Sequence, residues 1–327
     1  MKVRRQKPGR CVGTTVALLA LVLGAGGGCR REPPAAPASP WKLVESAHFA
    51  VRTDGEPAQY QPVLDRLEDM HEAVSATFFT GVPMPPIDVL LYARSGDFKA
   101  VAPDQHLVGF FSSKVAGLAG GLLVFSSQAE DPAAVAATAA HEVGHRFLVE
   151  VSERVPTWLH EGFAEYLGAS RIAGDRMVFD AAPRPSASTP LADPLPLDRL
   201  LASSPADFHG ADARSQYMTA WMLMRQLLRA PGATSLARFH LLVARSAAAS
   251  SPEAQRVAVR EAFGGAALED VEHAIEASYQ GLLDGEHVPD VSASLTAPLR
   301  RQPRPPLIVT PLDAAAVERL VAELRSH

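Results

Sequence analysis

His141-Glu142-Val143-Gly144-His145 is the stretch that most restricts how this chain folds. On a helix, His141 and His145 stand four positions apart and project from one face, so both imidazoles reach a single metal ion. Imidazole nitrogen suits zinc. Glu142 is turned about 100° around the same helix, from where it reaches a water beside the metal rather than the metal itself. That is the position of a general base. A catalytic zinc takes three protein ligands and leaves a fourth position open, so the two histidines need a partner from elsewhere in the chain. Glu161 is the residue assigned. Fifteen residues separate it from His145, enough for the first helix to end, the chain to turn at Val155-Pro156 and a second helix to return antiparallel. Glu165, one turn beyond Glu161, is placed to accept from the outer nitrogen of a ligating histidine; the alternative is a solvated helix carboxylate. His160, about 100° off the Glu161 face, reads as a surface or packing histidine.

Together with the run Trp158-Leu159-His160-Glu161-Gly162-Phe163-Ala164-Glu165-Tyr166, this stretch resembles the gluzincin metallopeptidases of the thermolysin and aminopeptidase-N type. The second run is similar to the Trp-Leu-Asn-Glu-Gly-Phe-Ala run that carries the glutamate ligand in the aminopeptidase branch. It is closer still to bacterial secreted and lipoprotein domains described as peptidase-MA-like, which share a Pro-x-Trp-Leu-x-Glu-Gly-x-Ala-Glu block. The close match covers residues 130–170. The resemblance implies His141, His145 and Glu161 as zinc ligands, Glu142 as the base and Glu165 as the carboxylate that orients a ligand histidine. It also implies a small sheet before the zinc helix, a last strand lining the cleft, and a helical second wall. Gly121–Phe125 is assigned the cleft strand, with a wholly internal strand as the alternative. Tyr217 is the assigned oxyanion donor from the second wall, against the reading of a core tyrosine; His209 and His240 compete for the same role. Aminopeptidases of this group carry a Gly-x-Met-Glu-Asn element that grips the substrate amine. Here Gly120-Gly121-Leu122-Leu123-Val124-Phe125-Ser126 offers no carboxylate, so the implied cleavage lies within a chain.

Composition narrows the classes that remain. Of 327 residues, 47% are hydrophobic and 20% charged, which supports a large core, and a net charge of −5 argues against nucleic acid, whose binders present a basic face. The two cysteines, Cys11 and Cys29, both precede the folded part. That part therefore holds no disulfide and no thiolate ligand, and its metal must be held by nitrogen and oxygen.

In chain order, residues 1–28 read as a secretory signal: basic Lys2, Arg4, Arg5, Lys7 and Arg10, then the apolar run Val16–Leu23, too short to span a bilayer. Gly26-Gly27-Gly28-Cys29 resembles a bacterial lipobox, which implies a lipid on Cys29; ordinary cleavage and a soluble secreted product is the alternative. Residues 29–40 are a Pro/Ala-rich tether. Residues 41–180 are expected to hold strands at Trp41–Arg52, Ile87–Tyr92, Leu107–Ser112 and Leu122–Ser126, a helix at Pro57–Phe79, the zinc helix from Asp131-Pro132 to Val149, and a strand or hairpin at Arg171–Asp180. Residues 181–196 form a loop. Residues 197–288 carry helices at Leu197–Ala202, Asp212–Arg229, Ser235–Ala247, Pro252–Phe263 and Leu268–Leu283. Residues 289–327 hold a proline-rich linker, Pro298–Pro311, and a terminal helix, Leu312–Leu324.

The expected fold class is α+β: a small mixed or antiparallel sheet, a zinc-binding helix pair and a mostly helical C-terminal part, zincin-like in arrangement. The expected activity is zinc-dependent hydrolysis of a peptide or protein substrate outside the cytoplasm, from a lipid-anchored position on the cell envelope. The rivals are a catalytically idle zinc-binding envelope lipoprotein that serves as a scaffold, and a helical adaptor with a chance motif. Cys29→Ser is expected to move the protein from the membrane pellet to the soluble fraction while leaving the purified domain's activity unchanged. A variant that still pellets would remove the anchor.

Overall fold

The computed structural model describes residues 41–102, 109–112, 115, 118, 121–128, 132–179, 192–229, 232–284, 295–299 and 304–325. The leader, Cys29, the tether, the Asp131 cap and residues 180–191 of the expected hairpin end and loop lie outside them. The strand expected at Trp41–Arg52 is a hairpin: β1 (Lys42–Glu45) turns at Ser46-Ala47-His48 and returns as β2 (Phe49–Thr53), with Val44 opposite Val51. Approximate alternation hid the turn, because both strands share the period of two. Helix α1 (Pro57–Phe78) opens on a first-turn proline, and the Glu56 N–H donates to Gln59 Oε1 at 2.9 Å. Its Leu64, Leu67, Met70, Val74 and Phe78, three or four apart, form the buried stripe.

Next come β3 (Ile87–Tyr92), a short α2 (Ser95–Lys99) that sequence patterning did not reveal, β4 (Gly109–Ser112) and β5 (Leu122–Ser126). β2, β3 and β5 run parallel, whereas β4 pairs antiparallel with β5, giving a mixed six-stranded sheet of order β4-β5-β3-β2-β1-β9. The helix carrying His141 and His145 is α3 (Pro132–Val151). Consecutive residues of the central strands divide between two layers. Val89, Leu91, Leu123 and Phe125 join the main core with α1 and with Val143, Phe147 and Leu148 of α3. Leu90, Tyr92, Leu122 and Val124 face the other way, against Phe98 of α2 and Val317 of the last helix.

Beyond α4 (Thr157–Gly168), the strands β6 (Arg171–Ala173), β7 (Arg176–Val178) and β8 (Thr296–Pro298) make a small antiparallel sheet. Gly174, at φ 63°, supplies the left-handed residue of the tight β6–β7 turn. The helical part then runs α5 (Leu197–Leu201), a 3-10 turn at Pro205–His209, α6 (Ala213–Leu228), α7 (Gly232–Ala248), α8 (Pro252–Ala262) and α9 (Leu268–Leu283). The Ser251 hydroxyl caps α8 by accepting from the Ala254 N–H at 3.2 Å. No helix among the described residues is long and apolar enough to cross a membrane.

The stretch expected as a linker, Pro298–Pro311, is structural at both ends. It ends in β9 (Ile308–Pro311), which pairs antiparallel with β1 and places Val309 opposite Val44. Prolines misled the sequence reading here. They are tolerated on an edge strand, whose outer N–H groups meet no partner, and Ile308-Val309-Thr310 is itself a β-branched run. Arg304, just before it, donates to Asp65 at 3.0 Å and also to Asp69, both on α1. Helix α10 (Ala314–Leu324), capped by Asp313 accepting from the Ala315 N–H at 3.1 Å, then lays Val317 on Leu90 and Val124. Val317→Asp is expected to lower stability by more than about 2 kcal/mol, since it buries an unpaired carboxylate. Urea denaturation tests this. An unchanged midpoint would mean that α10 does not cover the sheet.

Candidate metal centre

Five residues, 152–156, fold α4 back onto α3. Small side chains set how closely the helices approach. A Cβ on Gly144 would stand 3.1 Å from Ala164 Cα and 3.2 Å from Leu167 Cδ1. One on Gly162 would stand 2.6 Å from the Ala220 carbonyl oxygen of α6. The order Glu161-Gly162-Phe163-Ala164-Glu165 therefore has a packing reason at every position. Gly162 admits α6, Ala164 admits α3, Phe163 fills the core, and the two glutamates face the histidines.

His141 Nε2 and His145 Nε2 are 3.1 Å apart, and Glu161 Oε2 lies 3.5 Å from each. Two ligands about 2.0–2.1 Å from a tetrahedral zinc stand about 3.3–3.4 Å apart, so the trio has the spacing that such an ion requires. Glu161 Oε2 is buried and, among the described residues, meets no donor in good hydrogen-bond geometry, although it lies 3.5 Å from both imidazole nitrogens. In the metal-free site the His141 charge faces this oxygen, in the place a zinc ion would take. Glu165 Oε1 stands 3.2 Å from His141 Nδ1, the outer nitrogen, though the ring is turned off the ideal hydrogen-bond line. Glu165 is 19% exposed and lies beside His141 rather than out in solvent.

Electrostatics separates the two histidines. Burial opposes protonation of His141, but Glu161 and Glu165 overcome it and raise its pKa to about 10. His145, equally enclosed, is pushed down to about 3 by burial, with Glu161 only partly offsetting this and the His141 charge adding to it. Glu142 is 8% exposed. Burial raises its carboxyl to about 7, His141 opposes the rise, Glu161 and Glu165 add to it, and the backbone N–H of Phe111 opposes it by donating to the carboxylate.

Phe111 belongs to β4, and this changes the expected cleft strand. β5 lies between β4 and β3, so Gly121–Phe125 is internal, because β4 has covered its outer side. The strand beside the metal trio is β4. Its Phe111 ring lies 6.4 Å from that of His145 and is nearly parallel to it, at 17°. His160 flanks His145 as well, with centroids 5.8 Å apart, so of the two readings for His160 the packing one holds. Burial pushes His160 down to about 4 against the pull of Glu161. Sequence reasoning missed Phe111; the aromatic pair Phe110-Phe111 in a short strand was the available signal.

Tyr217, on α6, packs edge-to-face on Phe208 with centroids 5.2 Å apart. Burial, then the charges of Glu161, Glu165 and Glu142, hold its phenol proton well above the ordinary range, so the side chain lies within the field of the three carboxylates. His240 instead bonds through Nε2 to the Phe78 carbonyl at 2.6 Å, tying α7 to α1. His209 is exposed at the end of the 3-10 turn.

No protein-family model matches the chain, and no curated protein is similar to it. Zinc binding is expected to be proton-coupled, because the His141 proton, held to about 10 in the metal-free site, must leave before the ring can ligate. Affinity should rise by about tenfold per pH unit below that value, with about one proton released per zinc at pH near 8. Calorimetric titration in buffers of different ionisation enthalpy measures the release. Heats independent of buffer would show that His141 is already neutral.

Proposed function

We propose that this chain is a zinc-dependent metallopeptidase with a zincin-like arrangement of sheet and helix pair, cutting within peptide chains outside the cytoplasm from a lipid anchor at Cys29. The observation that carries the reading is the convergence of His141 Nε2, His145 Nε2 and Glu161 Oε2 at 3.1–3.5 Å, with the buried Glu142 on the same helix as the two histidines. Zinc held by these three residues would supply Lewis acidity to the scissile carbonyl and make the attacking water easier to deprotonate. Glu142 takes the proton from that water and hands it to the leaving amine. Burial, which raises this carboxyl in the metal-free site, makes it a ready proton acceptor and donor for both steps. The Tyr217 phenol, whose proton is held tightly, donates to the oxygen on which negative charge develops. Glu165 fixes the His141 ring.

The substrate lies extended along the outer edge of β4, where main-chain hydrogen bonds give affinity tolerant of sequence. Residues 109–128 carry no carboxylate to grip a free amine, which supports internal cleavage over removal of terminal residues. Three substitutions separate metal holding from chemistry, read as bound zinc and hydrolysis of an unstructured protein. Glu142→Gln is expected to keep zinc and lose about 10²–10⁴-fold in rate. Glu161→Gln should lose zinc first. Glu165→Gln should weaken zinc binding by about 10–100-fold. Full activity in Glu142→Gln, or wild-type zinc affinity in Glu161→Gln, would overturn the assignments. A wild type that holds zinc and hydrolyses nothing would favour the idle scaffold.

A further inference from the structure

The turn between β1 and β2 lies over the middle of α1 and brings His48 against Glu68 and Glu72. One ligating atom from each of these three side chains lies within 4.8 Å of the others, and none of the three belongs to the trio on α3 and α4. Glu68 is only 1% exposed, and both of its oxygens accept hydrogen bonds. Burial alone would raise its carboxyl, but hydrogen bonds from the His48 ring (2.6 Å), the Ser46 hydroxyl (2.5 Å) and the His48 N–H (3.0 Å) hold it at about 2. His48 Nδ1 and Glu68 share one proton at 2.6 Å, and an ion that displaced this proton would sit between them with the Glu72 carboxylate in reach.

Glu72 is one turn beyond Glu68 on α1 and half-buried, and it makes no hydrogen bond or ion pair among the described residues. A cavity of about 250 Å³ opens beside the two carboxylates, bounded also by Asp65, Arg304 and Leu307. Arg304 does not neutralise them, because its two arms are taken by Asp65 and Asp69. His71 supplies an observation of a different kind. It is 3% exposed, neither ring nitrogen has a hydrogen-bond partner, and its ring stacks on that of His48 at 3.9 Å and 19°. A buried imidazole with two orphan nitrogens is unusual and asks for a reason. Here a neutral ring, kept so by burial, lies flat against the His48 ring and limits its rotation.

We propose that His48, Glu68 and Glu72 form a second divalent-metal site, distinct from the α3–α4 trio, which clamps the β1–β2 turn to α1. One imidazole and two carboxylates suit zinc or manganese, and the cavity lined by Glu68 and Glu72 leaves room for water on the carboxylate side. Bound only by the folded chain, the ion stabilises it by mass action.

Zinc alone is the probe, titrated into the metal-free full chain. The wild type is expected to take two equivalents, and His141→Ala/His145→Ala to keep one and to gain thermal stability with added zinc. Glu72→Gln, a half-exposed substitution that leaves the core untouched, should weaken the second equivalent by about 10–100-fold in either background. A wild type with a single equivalent that His141→Ala/His145→Ala abolishes would overturn the proposal. So would a second equivalent that survives both Glu72→Gln and His48→Gln. Should the double alanine variant not fold, the loss of one of two equivalents on Glu72→Gln in the wild type decides the matter. One equivalent lost on Glu72→Gln but kept in the double alanine variant would leave this site standing while removing zinc from the α3–α4 trio.

Discussion

The closest contacts between helix backbones govern this molecule. α4 meets α3 where Gly144 faces Ala164, and it meets α6 where Gly162 faces the Ala220 carbonyl. Neither contact has room for a larger side chain without moving a backbone, and backbones in a packed core move little. Because Gly162 follows Glu161 directly, and Gly144 directly precedes His145, the same approach that seats the helices also fixes the distance between ligands on different helices. The spacing of His141, His145 and Glu161 is a by-product of helix packing. A displacement of α6 that packing permitted would carry Glu161 with it, along with the Tyr217 field.

The sheet contributes a platform rather than ligands. β3 and β5, buried on both faces, anchor a layer on each side: α1 and α3 on one, α2 and α10 on the other. α3 is thereby held over the end of the sheet where β4 forms the edge, and a backbone amide of that edge reaches Glu142. Glu142 is thus held between a helix that packs it and a strand that hydrogen-bonds it, which explains how a carboxylate 8% exposed is accommodated.

Much of this was legible because it is written in local periods. The stripe of α1, the apolar run of β3, the proline that opens α3 and the spacing of His141, His145, Glu161 and Glu165 are all patterns within one or two turns or strands. Apart from the β1–β2 turn and the short α2, the failures share a cause, which is that they depend on partners remote in sequence. Glu68 and His71 sit on the buried side of α1, where patterning expects apolar residues; Glu68 is acceptable only because Ser46 and His48 reach it from the preceding hairpin. β4 took the cleft position expected of β5 because an antiparallel pairing covered the latter, and pairing order is not encoded in either strand alone. The proline-rich stretch looked like a spacer until its edge position excused the prolines.

The pairing of β9 with β1 joins strands from opposite ends of the chain. Sheet closure therefore waits until Ile308–Pro311 has been made. Until residues 308–324 are free, β1 has a bare edge and the layer over Leu90 and Val124 lacks the helix that shields it. Contacts this distant in sequence form slowly, since the whole intervening chain must be brought to order first. A half-made copy of this molecule would present both a sticky strand and an oily surface, a state that favours an escort during synthesis or export and penalises premature termination.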